Sequence, residues 1–255
     1  METVRVDRMG SVATVLLRRK EVRNAFNEVV IAELQEVFSS LESDVRVVVL
    51  AGDGPVFCAG ADVQWMKKSK DATEKQNARD ARAMAEMFRA IDECPRPVIG
   101  RVQGAALGGG SGLVACCDIV VAAEGTQFGF TEVRLGIVPA NISTFVLPKI
   151  GSRAARRYFL TGERFGAAEA LRIGLVHEVV KPDLLDERVE AIQQEILKCG
   201  PHAVAIAKEL IRNGESSPRD RAIDMTVRTI ARVRVSPEGQ EGLAAFLEKR
   251  APRWS

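Results

Sequence analysis

Residues 102–118 read VQGAALGGGSGLVACCD. A short apolar run leads into three consecutive glycines, Gly108, Gly109 and Gly110, and a second apolar run with helical character follows. Backbone without side chains turns sharply and can carry N–H groups up against a ligand, above all where a helix begins. The same glycines also suit a bland purpose, a turn where a helix packs closely on a strand. A second loop, PVFCAGADV at residues 55–63, has the same form, with a strand pattern before it and a helix pattern after it. Each loop can offer an unpaired backbone N–H at the positive end of a helix. Two such donors aimed at one oxygen make an oxyanion hole.

Working outward, residues 4–8 and 12–17 alternate apolar and polar around Met9-Gly10-Ser11, a β-hairpin pattern. Residues 24–27 form a loop, and residues 28–41 carry helical apolar spacing. Residues 45–50 are a β-branched run that reads as a buried strand, broken by AGDGP. Residues 63–68 predict a short helix. The polar stretch 70–80 reads either as a mobile lid or as an exposed helix start. Helix at 81–91, strand at 97–102, helix at 110–117 and strand at 118–123 follow in turn. That alternation predicts an α/β architecture. Beyond Gly129 the pattern is mostly helical, with one brief strand at 176–180 and helices at 141–150, 152–160, 167–173, 184–197, 203–211, 219–233 and 238–249. Pro201, Pro218 and Pro237 fall where first-turn prolines belong. The helical end of the chain predicts a second subdomain or a surface for self-association.

Composition excludes several classes. Hydrophobic residues at 46% and charged residues at 27% describe an ordinary globular protein able to bury a core. A net charge of +2 leaves no electrostatic footprint for nucleic acid or an anionic membrane. The five cysteines are odd in number and include no CxxC pair, which predicts reduced thiols in a cytoplasmic setting. Cys116 and Cys117 read as buried small hydrophobes. No signal-peptide pattern opens the chain and no apolar run is long enough for a membrane span.

An acid or base must accompany the two loops for chemistry to follow. His177 and His202 are the only histidines, one in a short strand and one at a helix start, and both read as structural or exposed. Ser111 between Gly110 and Gly112 has the look of a nucleophile elbow, but Leu113 stands where that motif needs its second glycine. The glycine run also lacks the Gly-Lys-Ser/Thr of a phosphate loop and the third glycine of a dinucleotide fingerprint. A carboxylate remains. Glu132 lies in FGFTEVRLGIVP among aromatic and aliphatic neighbours, which favour a raised pKa suited to proton transfer. Its alternative is a first-turn glutamate stabilising a helix dipole, with Thr131 as the cap.

FCAGADV, VQGAALGGGSGLVACCDIVVA and FGFTEVRLGIVP, in that order, closely resemble the enoyl-CoA hydratase/isomerase (crotonase) superfamily. RKEVRNAFN near the start and AFLEKRAPRW near the end are similar to that family's terminal signatures. The resemblance implies an α/β spiral of ββα units over residues 1–195 and a helical region over 196–255 for oligomerisation and coenzyme A contact. It further implies acyl-CoA thioester substrates, a homotrimer or dimer of trimers, and no cofactor beyond the coenzyme A of the substrate. The N–H groups of Ala61 and Gly109 match the family's oxyanion hole, flanked by Ala59, Asp62 and Gly108. Arg23, Ala25 and Phe26 match the segment along the adenine site, and Phe246 and Lys249 match positions that reach a neighbouring subunit's coenzyme A. Trp65, Met66, Leu107 and Pro139 are placed along the acyl pocket, where bulky residues serve equally well as core.

One departure stands out. Typical hydratases of the family carry two glutamates; Glu132 matches the second, and Gly112 occupies the position of the first. Glu132 must then act alone, with or without a bound water. GGGSGLVACCD, TEVRLGIVPANIS and Trp65-Met66-Lys67 resemble bacterial 3-methylglutaconyl-CoA hydratases of leucine and isovaleryl-CoA metabolism. That likeness implies reversible dehydration of 3-hydroxy-3-methylglutaryl-CoA, with Arg134, Asn141 or Ser143 near the distal carboxylate; Arg134 on a helix can also point away from Glu132. Enoyl-CoA isomerisation, dehydration of a carrier-protein thioester, acyl-CoA binding without turnover and serine hydrolysis are the alternatives.

Overall fold

The computed structural model describes residues 1–254, the side chains of Ser69, Glu215 and Ser216 excepted. The hairpin is as read: β1 (Val4–Met9) pairs antiparallel with β2 (Val12–Leu17). Asn27 caps α1 (Glu28–Ser39), whose apolar face Val30, Ile31, Leu34, Val37 and Phe38 is buried. Strand β3 (Val47–Gly52) is buried along its whole length. A short α2 (Val63–Ser69) precedes α3 (Glu74–Asp92). Thr73 and Gln76 form a reciprocal capping box there, so the polar stretch holds a helix start. Next come β4 (Val98–Val102), β5 (Ala105–Leu107), α4 (Gly109–Cys116), β6 (Ile119–Ala123) and β7 (Gln127–Gly129). A 3-10 turn at Glu132–Leu135 leads into α5 (Ala140–Thr161), which breaks at Gly151. Then follow β8 (Arg164–Gly166), α6 (Ala167–Arg172), β9 (Glu178–Val180), α7 (Leu185–Leu197), α8 (Pro201–Ser216), α9 (Arg219–Arg234) and α10 (Pro237–Leu247).

The large sheet runs β1-β2-β3-β4-β6-β9, with every pair after the hairpin parallel. Period two sorts its residues between two cores. Val48, Leu50, Val98, Val102, Val120 and Ala122 face the main core with α1, α3, α4 and α5. Val47, Val49, Ile99, Val121 and Ala123 face Leu185, Val189 and Ile192 of α7. Coverage on both faces explains the unbroken apolar run of β3.

A second sheet, β5-β7-β8, has no counterpart in the sequence reading. Its three-residue strands are too short to display alternation. It shows how the spiral is built. After each central strand the chain makes a short second strand and then a helix: β4, β5, α4, and again β6, β7, α5. The unit before them follows the same plan, because Cys58 after β3 makes a parallel bridge to Ala106 of β5. These second strands stack in parallel, Cys58 on Ala106 and Leu107 on Gly129. Their downstream ends therefore emerge on the same side.

Candidate active site

Three arms leave that side of the stack. On the first, Cys58 N–H donates to Ala105 O at 3.0 Å and Cys58 O accepts from Leu107 N–H at 3.1 Å. Two residues on, Gly60 O accepts from Phe26 N–H and Asp62 N–H donates to Phe26 O, each at 2.9 Å. Between them, the Ala61 amide donates to no backbone carbonyl among the described residues.

On the second arm, Gly108 takes φ +52°, ψ −123°, a conformation that favours glycine, and its N–H donates to Gly129 O at 2.8 Å. The chain then enters α4 at Gly109, whose amide is an orphan of the first helical turn. A Cβ on Gly109 would lie 2.2 Å from the Phe26 ring, so only glycine fits. The two arms touch, since a Cβ on Gly60 would stand 2.7 Å from Leu107 O and 3.8 Å from Gly109 N.

The third arm carries Glu132 on the 3-10 turn after β7. Its carboxyl lies over the glycine turn: a Cβ on Gly108 would sit 3.3 Å from Glu132 Oε1. Oε2 is buried and has no hydrogen-bond partner among the described residues. Burial pushes the Glu132 carboxyl above its ordinary value, and a backbone hydrogen bond only partly offsets this. Thr131 holds the cap position but its side chain makes no capping bond, which removes the helix-cap reading. A desolvated carboxyl over Gly108, one residue before the Gly109 amide, suits proton transfer next to a held carbonyl.

Position 112, where the resemblance puts the family's other glutamate, has no room for a side chain. Gly112 is buried inside α4, and a Cβ there would lie 2.4 Å from Ile142 Cγ2 and 3.0 Å from the Phe88 ring. Apolar side chains fill the space that a longer residue at this position would need.

The remaining sequence candidates sort by location. Trp65 and Met66 are half-buried on α2, directly after the first arm, and Leu107 and Ala59 are half-buried on the stack. Arg23 is exposed at φ +56°, and its carbonyl accepts from Ala59 N–H. Ala25 and Phe26 are buried, so the Phe26 ring supports Gly109 from beneath and does not face outward. Asp62 departs from a substrate contact: 6% exposed, it pairs with Arg19 at 2.8 Å and caps α2 through Gln64 N–H. Pro139 is buried at the cap of α5. Asn141 Nδ2 donates to Ala81 O of α3 at 3.0 Å, and Ser143 Oγ donates to Ala140 O. The Arg134 stem lies against Gly162 at the end of α5, a different direction from the Glu132 carboxyl over Gly108. Phe246 is 81% exposed and Lys249 is exposed just past α10, which packs on α8 and α9.

Ser111 is fully buried and its hydroxyl donates to Ala106 O at 2.7 Å, so it is no nucleophile. His177 Nδ1 accepts from Val120 N–H, and burial lowers its pKa. Cys116 and Cys117 are buried thiols, as read. The sequence reading missed Arg19, Asn24, Phe88 and Ile142. Asn24 alone left a signal, an asparagine in a turn, and it sits at φ +54° with its amide on Asp53 O and Val56 O.

A family model described as enoyl-CoA hydratase/isomerase matches residues 7–255. The crotonyl-CoA hydratase of Syntrophomonas wolfei is 34% identical over 98% of this chain and 96% of its own length. The short-chain-enoyl-CoA hydratase of Clostridium acetobutylicum is 33% identical over 98% of this chain and 96% of its own. Among solved structures, an enoyl-CoA hydratase from Shewanella pealeana superposes with TM-score 0.95 at 39% identity, covering 99% and 96% of the two chains. Pseudomonas aeruginosa AtuE superposes with TM-score 0.96 at 36% identity, covering 99% of each.

Proposed function

The chain belongs to the enoyl-CoA hydratase/isomerase family, and from that premise we propose that it interconverts a 3-hydroxyacyl-CoA with the 2-enoyl-CoA and water, using Glu132 as its only acid/base. The substrate pair we assign is 3-hydroxy-3-methylglutaryl-CoA and 3-methylglutaconyl-CoA. The observation that carries the chemistry is the buried oxygen of Glu132 beside the Gly108–Gly109 turn, without a hydrogen-bond partner among the described residues, with position 112 closed by Ile142 and Phe88. Support for the substrate comes from the motifs around Gly112 and Asn141 and from Trp65-Met66-Lys67.

In dehydration, the amides of Ala61 and Gly109 hold the thioester oxygen. Ionised Glu132 takes the proton from C2, and the electron pair moves onto that oxygen as an enolate. The enolate collapses, C2=C3 forms, and the C3–O bond breaks. Glu132 returns its proton to the departing hydroxide on the same face, which leaves as water, and the carboxylate is restored. Hydration is the reverse. The substrate's coenzyme A is the only group of that kind the reaction needs. The helical region 196–255 serves self-association into a trimer or a dimer of trimers. It exposes Ile223, Val227, Ile230, Phe246 and Leu247 on the single chain, apolar area that a partner copy would cover.

Isomerisation is the second reading, favoured by the same lone carboxylate, since one group suffices to move a proton between C2 and C4. Product mass separates the two. Incubation with 3-hydroxy-3-methylglutaryl-CoA is expected to give a product lighter by one water. No mass change there, together with turnover of a 3-enoyl-CoA at constant mass, would establish the isomerase instead. The same acyl group on a carrier-protein thioester, run in parallel, reads which carrier is preferred.

A further inference from the structure

An ion pair sits next to Ala61 in the chain and ties its loop to the segment before Phe26. Arg19, just past β2, is 17% exposed at its side chain, and its partner Asp62 is 8% exposed. Arg19 Nη2 donates to Asp62 Oδ2 at 2.8 Å, and Nη1 donates to Ala25 O at 2.5 Å. Asp62 Oδ1 accepts from Gln64 N–H at 2.7 Å. Arg19 N–H donates to Asn24 Oδ1, and Asn24 N–H donates back to Arg19 O. One guanidinium thus grips both strands of the Phe26–Ala61 bridge, on either side of the Ala61 amide. Burial opposes ionisation of Asp62, but the Gln64 amide and the Arg19 charge outweigh it and hold the carboxyl low, so the pair is ionic at neutral pH. A pair this little exposed adds little net stability of its own, because both ions lose hydration.

We propose that Arg19 and Asp62 are positioning residues that aim the Ala61 N–H at the thioester oxygen. The proposal rests on the oxyanion reading above. Its effect falls on the transition state, where charge builds on that oxygen, and not on ground-state binding. Loss of an oxyanion donor lowers rate by about 10²–10³-fold, and a misaimed one by less.

The test uses Asp62→Asn, which keeps the cap acceptor but removes the charge, Arg19→Met, and the conservative Arg19→Lys. Turnover is measured with the acyl-CoA substrate. The carbonyl stretch of a bound, unreactive acyl-CoA thioester is read by isotope-edited infrared difference. Asp62→Asn and Arg19→Met are expected to lower kcat by about 10–100-fold with KM within about 3-fold, and to move the carbonyl stretch back toward its value in water. Arg19→Lys recovers part of both, since it keeps the charge without the fork. A wild-type stretch that is unshifted from water would overturn the oxyanion reading itself. A shifted wild-type stretch that the folded variants leave unchanged, along with kcat, would overturn this proposal alone. Loss of the fold in all three variants would also overturn it, since the pair would then hold the structure and not the amide.

Discussion

Glu132 gains its character from what surrounds it. One carboxyl oxygen has no hydrogen-bond partner among the described residues, and burial keeps the group protonated to higher pH than a glutamate in water. The sign of the linkage follows. Both folded and unfolded chains carry a neutral Glu132 at low pH, so nothing is lost there. As pH rises past the unfolded value and through the raised folded one, the native state bears the cost of an ionised, desolvated carboxylate. Glu132→Gln should therefore melt higher than wild type at pH 8 and together with it near pH 4, as read by calorimetry at both pH values. A lower melting temperature at pH 8 would mean that the carboxylate has a partner in the native protein. Glu132 was legible in the sequence because its neighbours Phe128, Phe130, Val133 and Leu135 are apolar. Arg19 was not legible, since a long charged side chain at a strand end reads as solvated until its fork is seen folded back onto Ala25 and Asp62.

At the scale of the element, the site depends on two short parallel strands, β5 and β7, and the Cys58 bridge beside them, all ending on one side. The glycine loops were readable from composition, and so were the helices that follow them. The second sheet was not, because its strands of three residues carry no period. Without it, Ala61, Gly109 and Glu132 had no common side. Helix α4 then supplies a constraint of its own, through the 2.4 Å approach that any Cβ at Gly112 would make to Ile142. Gly112→Ala is expected to destabilise by about 1–3 kcal/mol through overpacking, less the ~1 kcal/mol that alanine gains over glycine in a helix. The double variant Gly112→Ala/Ile142→Ala should cost less than the sum of its singles by at least about 0.5 kcal/mol. Denaturant unfolding of the four proteins measures this, and strict additivity would show that the two positions do not meet.

The whole molecule divides its tasks. The sheet-and-helix core presents the carboxylate and the two amides, while α8, α9 and α10 expose apolar and charged surface that the single chain leaves uncovered. The family resemblance implies that Phe246, exposed on the single chain, reaches the coenzyme A of a neighbouring subunit, and a contact at its adenosine end gives a test. Phe246→Ala should then raise KM for the coenzyme A thioester by about 10-fold, the loss of one stacked aromatic, with kcat little changed. The same acyl group on a pantetheine lacking adenosine should show no difference between the two proteins; an equal KM effect on both thioesters would place Phe246 elsewhere. The central claim concerns Glu132 and is tested most directly by the turnover of Glu132→Gln, with thioester affinity measured alongside. The account predicts that kcat falls by about 10²–10⁴-fold, the usual contribution of a general acid–base, while affinity stays within a few-fold. Turnover near that of the wild type would contradict it.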